Sequence, residues 1–296
     1  MTKALETMIK QLSLEPVTTD IYLGESLDIL RSGRIFGGQV LGQALMASSL
    51  TVVPERDIHS LHAYFIRPGD VNIPIRFEVE RVRDGGSFSN RRVAAYQHNR
   101  HIFTMDASYH IEEEGFEHYD AMPDDIKGPE NFISERQLVE QLADKLPPSV
   151  VKRYLVDGSP IEIRLAHPER YLKGGDFPAK TYYWFKADGH IEGTNSLIHK
   201  AALAYVSDAY FMFTSLFPHH QSSFDPHAQL ASLDHAIWFH RPINMNEWHV
   251  YVMESSNAGS ARGLTFGRIY NQQGVLVAST AQEGLIRHPV RFGNVK

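Results

Sequence analysis

Runs in which apolar and polar residues alternate recur along the chain, and each predicts a strand with one buried face. In the first part they fall at residues 59–66, 75–82, 91–97 and 102–110. Turn-forming clusters separate them: Pro68-Gly69-Asp70, Asp84-Gly85-Gly86 and His98-Asn99-Arg100. A second series lies at residues 233–240, 249–254, 264–270 and 275–287. Ahead of each series comes a helix-forming segment, at residues 39–50 and at about residues 195–213. The second helix is unusual, because from Ala201 to Phe213 only Ser207 and Asp208 are polar. A helix apolar all round must be enclosed on most sides, and a curved antiparallel sheet wrapped around it supplies that enclosure.

The two series are copies. Phe65-Ile66-Arg67-Pro68 returns 174 residues later as Phe239-His240-Arg241-Pro242, and Glu80 meets Glu254 at the same offset. Gly86-Ser87 meets Gly259-Ser260 at an offset of 173. An internal repeat of this length means two copies of one structural unit. The expected architecture is therefore α+β, two units side by side, each a long helix wrapped by an antiparallel sheet. The units are placed at residues 1–117 and 158–296, with a linker at 118–157. That region is acidic, broken by Pro123, Pro129 and Pro147-Pro148, and is read as packing on the surface. Within it Ser134 and Gln137 form a capping box ahead of Leu138, Leu142 and Leu146. At the N-terminus Leu5, Met8, Ile9 and Leu12, set among Lys3, Glu6 and Lys10, predict a short amphipathic helix.

Composition narrows the function. With 43% hydrophobic and 22% charged residues over 296 positions, the chain can bury sizeable cores. A net charge of −6 argues against a nucleic-acid partner. The absence of cysteine removes disulfides, thiolate ligands and a cysteine nucleophile together. The N-terminal segment lacks the apolar core of a signal peptide. The apolar run at 201–213 is too short to span a bilayer. The final Asn294-Val295-Lys296 is not a peroxisomal address, so the cytoplasm is the expected location. The 16 histidines show no H-E-x-x-H spacing, and there is no phosphate loop or dinucleotide fingerprint. His59 and His62, three apart in a strand, face opposite sides, so no metal and no cofactor is expected.

Asp208 is the leading candidate for chemistry. A carboxylate within a buried helix costs several kcal/mol unless it is partnered or neutralised. Perturbed carboxylates concentrate at functional sites, although a buried Asp satisfied by backbone or hydroxyl donors fits the spacing equally. Gln282, on the last strand, shares its face with Leu276, Ala278, Thr280, Gly284 and Ile286. An amide so placed can orient a water or a carbonyl, or close a structural hydrogen bond. Ser232, Asp234 and His235 suggest a hydrolase triad, but strand alternation sends Ser232 and Asp234 to one face and His235 to the other. No G-x-S-x-G elbow is present, so a serine nucleophile is not expected. Gly37-Gly38 opens the first helix, where glycines permit close packing or expose amides at the helix N-terminus.

Several of these segments together resemble a known family. They are Phe36-Gly37-Gly38-Gln39-Val40, His59-Ser60-Leu61-His62 through Asp70, Ser87-Phe88-Ser89-Asn90-Arg91-Arg92-Val93 and Gly115-Phe116-Glu117-His118. In the second half they are Tyr205-Val206-Ser207-Asp208, Ser232-Leu233-Asp234-His235 through Pro242, and Ser279-Thr280-Ala281-Gln282-Glu283-Gly284. In this order they resemble the type II acyl-CoA thioesterases, from about residue 5 to residue 288. The resemblance implies a double hotdog fold and hydrolysis of fatty acyl-CoA to free acid and CoA. It places the family's catalytic Asp, Ser or Thr, and Gln on Asp208, Ser232 and Gln282.

Such chemistry needs an activated water, with Asp208 as general base and Ser232 and Gln282 fixing its position, and no covalent nucleophile. The oxyanion donors would be backbone amides near a helix N-terminus. CoA phosphates call for local cations on an acidic protein. Arg67, Arg91, Arg92, Arg241 and Arg262 are the candidates, with His62 as a further substrate contact. A homodimer or homotetramer is the expected assembly. Two other readings share the fold. An enoyl-CoA hydratase or dehydratase would need a converging Asp and His, yet five residues beyond Asp208 stands Phe213. A non-enzymatic acyl-CoA-binding sensor would carry a DNA-binding segment, and no helix-turn-helix pattern or basic arm is found.

Overall fold

The computed structural model describes residues 1–28, 33–193, 196–223, 225 and 227–287. Asn195, where the second long helix was expected to begin, and residues 288–296 lie outside this set. The chain opens with α1 (Lys3–Leu12), β1 (Glu15–Thr18), β2 (Ile21–Gly24) and α2 (Gly37–Ser49). The strands β3 (Arg56–Phe65), β4 (Ile75–Asp84), β5 (Phe88–Gln97) and β6 (Arg100–Ile111) follow. The connecting segment holds α3 (Glu135–Leu142) and α4 (Pro148–Lys152). Beyond it come β7 (Ile161–Leu165), α5 (Pro168–Leu172), β8 (Lys180–Ala187) and α6 (Ser196–Ser207). A 3₁₀ segment, Met212–His219, leads to β9 (Gln229–Ser232), β10 (Asp234–Phe239), β11 (His249–Gly259), β12 (Arg262–Asn271) and β13 (Leu276–Arg287).

The strands form one antiparallel sheet in the order β1-β2-β4-β5-β6-β3-β10-β13-β12-β11-β8-β7, with β9 pairing β13. The halves meet at a continuous seam between β3 and β10, from Asp234 opposite Tyr64 to Trp238 opposite Ser60. Inside the curve lie α2 and α6, both nearly apolar all round. The polar exceptions on α2 are anchored through their amide nitrogens. Gln39 donates to the Glu25 carbonyl, and Gln43 donates to the carbonyls of Gln11 and Glu25. The amphipathic α1 closes the end of the helix pair with buried Leu5, Met8 and Leu12. Two such helix-in-sheet units make a double hotdog.

Contact between α2 and α6 depends on missing side chains. A Cβ on Gly38 would stand 2.0 Å from the Tyr205 carbonyl oxygen, and one on Gly42 would stand 3.1 Å from that of Ala201. These glycines, four apart and so on one face of α2, let the two backbones touch. The close approach sets where the N-terminus of α2 points.

Sequence periodicity misplaces some boundaries. Helix α6 stops at Ser207 instead of reaching residue 213. The Ala209 amide turns back to the Val206 carbonyl, and Tyr210 adopts a left-handed φ of 62°, which ends the helix. Asp208 therefore stands on a turn just past the helix, not within it. Strands β1 and β2 are only four residues each, and β8 is buried on both faces through Tyr183, Trp184 and Phe185, so it lacks alternation. The capping box at Ser134 and Gln137 forms as expected. The segment it opens is more than a surface strap: Glu135 is buried and accepts hydrogen bonds from the hydroxyls of Tyr154 and Tyr210.

The glycine contact can be tested. Gly38→Ala should lower stability by about 1–3 kcal/mol or more through overpacking, read as a fall in the thermal midpoint. Gly86→Ala, where an added Cβ meets nothing within 4 Å, should not. Equal midpoints for the two variants would show that the helices can separate at no cost.

Candidate active site

Three segments far apart in sequence converge on the Asp208 carboxylate. Ser232 Oγ donates to Oδ1 at 3.0 Å, and Gln282 Nε2 donates to the same oxygen at 2.8 Å. The Gly38 amide, at the start of α2, donates to Oδ2 at 3.0 Å. An ionised carboxylate is an acceptor only, so three convergent donors suit that form. Asp208 and Ser232 are partly exposed while Gln282 is buried. The carboxylate thus sits at a mouth, with its supporting amide behind it. Gly37 is required here too, because a Cβ on it would lie 2.6 Å from Asp208 Oδ2.

Ser232 reaches Asp208 because of a β-bulge. Ser232 stands opposite Gly284, yet Ala236 stands opposite Ala281, so one extra residue lies between them on β9 and β10. Leu233 is that residue, with its amide on the Glu283 carbonyl and its own carbonyl accepting from the Phe65 amide. Asp234 Oδ1 accepts the Glu283 amide at 2.6 Å, filling the gap in the ladder. The shift reverses the parity of the strand. Ser232 and His235 both point inward and Asp234 lies on the outer face, which corrects the expectation drawn from simple alternation. The inference drawn from it, that these three residues form no triad, stands on other grounds. His235 Nε2 lies 3.0 Å from Ser207 Oγ, whereas Ser232 donates to Asp208.

His235 went unnoticed as a neighbour of Asp208. It is 1% exposed, and burial pushes its imidazole down to about 4, against an opposing pull from the Asp208 carboxylate. It is therefore neutral near pH 7 and has no exposed face for a substrate. Gly38 was singled out, but its amide is committed to Asp208, so that amide supports the candidate base and not an oxyanion.

The proposed substrate contacts scatter. His62 is exposed on the sheet's outer face, edge-on to Trp238 at 5.2 Å, opposite the side that holds Asp208. Arg92 is on that outer face as well, bound to Asp106 at 3.0 Å. Arg91 is 1% exposed, and all its N–H groups are used on Thr51, Arg83, Asn90 and Asp84. It is a structural arginine with no donor left for a phosphate. Arg67 donates to the His101 carbonyl, and Arg241 donates to the Leu276 carbonyl while stacking over Tyr119. Arg262, paired with Glu283 at 2.9 Å, lines a cleft of about 430 Å³ together with His219, Leu230, Ile286 and Arg287. A second cleft of about 670 Å³, lined by Arg34, Gln229, Ala231 and Leu285, shares Ala228 and Leu230 with the first. β9, which borders both clefts, ends at Ser232.

The first unit carries a closed counterpart of this site. Where α6 ends at Ser207 and is followed by Asp208, α2 ends Ser48-Ser49, and the position matching Gln282 at the 173 offset is Tyr109. Tyr109 is fully buried, hydrogen-bonded to Ser48 at 2.6 Å and Ser49 at 3.0 Å, and its phenol is pushed up to about 12 by burial. Its hydrogen-bonding side chains are hydroxyls, with no carboxylate bonded to Tyr109 among the described residues.

Residues 152–285 match the acyl-CoA thioesterase family model, and residues 29–110 match that of the acyl-CoA thioesterase N-terminal domain. The chain is 39% identical to acyl-CoA thioesterase 2 of Haemophilus influenzae, covering 97% of this chain and 99% of that one. It is 38% identical to human acyl-coenzyme A thioesterase 8, over 93% of this chain and 87% of the relative. Among solved structures, acyl-CoA thioesterase II TesB2 from Mycobacterium marinum aligns over 95% of this chain and 98% of its own. Its TM-score is 0.77 and its identity 36%. The chain belongs to the acyl-CoA thioesterase family, whose members are thioester hydrolases.

Two variants test these placements. Tyr109→Phe should leave kcat within a few-fold of the parent while costing about 1 kcal/mol of stability for the lost hydrogen bond. A loss of turnover comparable to that of Gln282→Ala would show that both units are active. Arg91→Met should lower the thermal midpoint and leave the acyl-CoA KM unchanged; a raised KM at unchanged stability would restore Arg91 as a ligand contact.

Proposed function

We propose that this protein hydrolyses fatty acyl-CoA thioesters by direct attack of a water activated at Asp208. The observation that carries the reading is the partly exposed Asp208 carboxylate held by donors from Gly38, Ser232 and Gln282. Ser232 Oγ keeps lone pairs free, and Gln282 Nε2 keeps a second N–H. A water lodged against them lies beside an anion able to take its proton. The water oxygen bonds to the thioester carbonyl carbon as Asp208 accepts the proton. The tetrahedral intermediate then expels CoA as a thiolate, which recovers a proton from Asp208. No covalent intermediate with the protein forms.

Arg262 is the strongest of the arginine candidates for the CoA phosphates, since it borders a cleft flanking the strand that ends at Ser232. No helix among the described residues is long and apolar enough to cross a membrane. We take the cytoplasm as the site of action. Assembly of two or four copies is favoured by exposed Tyr64, Trp238 and Phe266, which share the sheet's outer face around the seam. Trp238→Glu should then shift the sedimentation coefficient towards that of the monomer.

Release of free thiol from palmitoyl-CoA and from a short-chain acyl-CoA tests the activity directly. Asp208→Asn should lower kcat by ~10²–10⁴-fold, the scale of general-base assistance, with the thermal midpoint retained. Near-normal turnover by this variant would refute the assignment. Ser232→Ala and Gln282→Ala should each lower kcat by about tenfold or more, and the triple variant should lose far less than the product of the single losses. Additive losses would show that the three do not hold one water.

A further inference from the structure

Two buried polar atoms beside the candidate base have no hydrogen-bond partner of good geometry: His235 Nδ1 and Gln282 Oε1. Buried polar atoms are almost always satisfied in native proteins, so a pair of orphans at a proposed site calls for an account. His235 precedes Ala236 and Gln282 follows Ala281, and Ala236 and Ala281 are cross-strand partners. The next step along the ladder therefore sets His235 alongside Gln282, both facing inward and both 1% exposed.

Resting on the hydrolytic reading above, we infer that His235 is a positioning residue, whose Nδ1 proton holds the Gln282 amide with its nitrogen towards Asp208. The choice of tautomer carries the argument. Ser207 has one hydroxyl proton and two acceptors in range, the Ala204 carbonyl at 2.9 Å and His235 Nε2 at 3.0 Å. If the proton goes to Ala204, Nε2 must carry the imidazole proton and Nδ1 is bare. Two acceptors, Nδ1 and Gln282 Oε1, then face each other and both remain unsatisfied, each at the desolvation cost of a buried polar group. If Ser207 donates to Nε2, Nδ1 bears the proton and donates to Oε1, and both orphans are satisfied. The result is a one-way relay: Ser207 Oγ–H to His235 Nε2, His235 Nδ1–H to Gln282 Oε1, Gln282 Nε2–H to Asp208 Oδ1.

The alternative amide orientation is blocked from both ends. Turning Gln282 over would set Oε1 against the Asp208 carboxylate and the amide nitrogen against an Nδ1 that already carries a proton. The low value to which burial drives His235 keeps the ring neutral, so it retains the single-proton logic on which the relay depends. Phe211, edge-on to the ring with centroids 5.7 Å apart, packs against it on another side. His235 never meets the substrate, so its removal should act on kcat through Gln282 and leave binding alone.

The experiment measures thiol release from palmitoyl-CoA by His235→Leu, His235→Asn and His235→Gln, each in the parent and in a Gln282→Ala background. In the parent, His235→Leu should lower kcat by about tenfold or more with KM within a few-fold. His235→Asn, whose amide nitrogen falls near Nδ1, should recover most of that loss, while His235→Gln, whose amide falls near Nε2, should not. In the Gln282→Ala background all three should have the same kcat as Gln282→Ala alone, although any loss of thermal stability persists. A purely structural role would lower kcat together with the midpoint in both backgrounds and give Asn no advantage over Gln. Equal losses in both backgrounds, or no difference between Asn and Gln, would overturn the proposal; the Asn and Gln pair decides it even if the Leu variant fails to fold. Asp208→Asn serves as the reference. If it retains turnover the hydrolytic reading itself fails, whereas an inactive Asp208→Asn beside an unaffected His235 series removes only the relay.

Discussion

Much of the molecule is arranged around one unfavourable act, the placement of a carboxylate against the ends of two apolar helices. Asp208 can stand there because donors arrive from the N-terminus of α2, the bulged end of β9 and the middle of β13. Each arrival depends on a distinct backbone feature. The first requires glycine at residues 37 and 38, the second an extra residue at Leu233, and the third an inward-facing amide on a strand of small side chains. Their coincidence at one carboxylate is a stronger indication of chemistry than any one residue type.

The unequal halves divide this labour. In its last turn each helix carries a serine whose hydroxyl lies within reach of the carbonyl three residues earlier, Ser48 of Leu45 and Ser207 of Ala204. Beyond that shared ending the copies part. One continues with Ser49 and satisfies Tyr109, and the other continues with Asp208 and opens to solvent. The first half still contributes the Gly38 amide, so the site belongs to both units even though its side chains come from one.

The repeat, the α+β class and the strands of each series were legible in the chain because alternation and turn residues are local properties. Asp208 was legible as a polar interruption of an apolar run, though its place on a turn was not, since helix termination there depends on the Tyr210 backbone. Ser232 was misoriented because counting alternate residues assumes a constant register, and a bulge breaks that assumption silently. Gly38 could be flagged only as a glycine, because a backbone donor leaves no side-chain signature. Arg91 and Arg92 are adjacent in a strand, so one of them had to face inward. That constraint was available in the sequence, and the burial of Arg91 shows which of the two it is.

The seam between β3 and β10 has a consequence for solubility. A separate hotdog unit would leave one of these long strands unpaired along its edge, and an uncovered edge recruits other chains. In the fused protein each strand covers the other, and the sheet's free ends pass to β1 and β7, of four and five residues. β1 also contains Pro16, which cannot donate to an incoming strand, and an irregular register between Pro16 and Thr18. Joining two copies in one chain therefore protects the molecule against edge-to-edge polymerisation, independently of the cluster around Asp208.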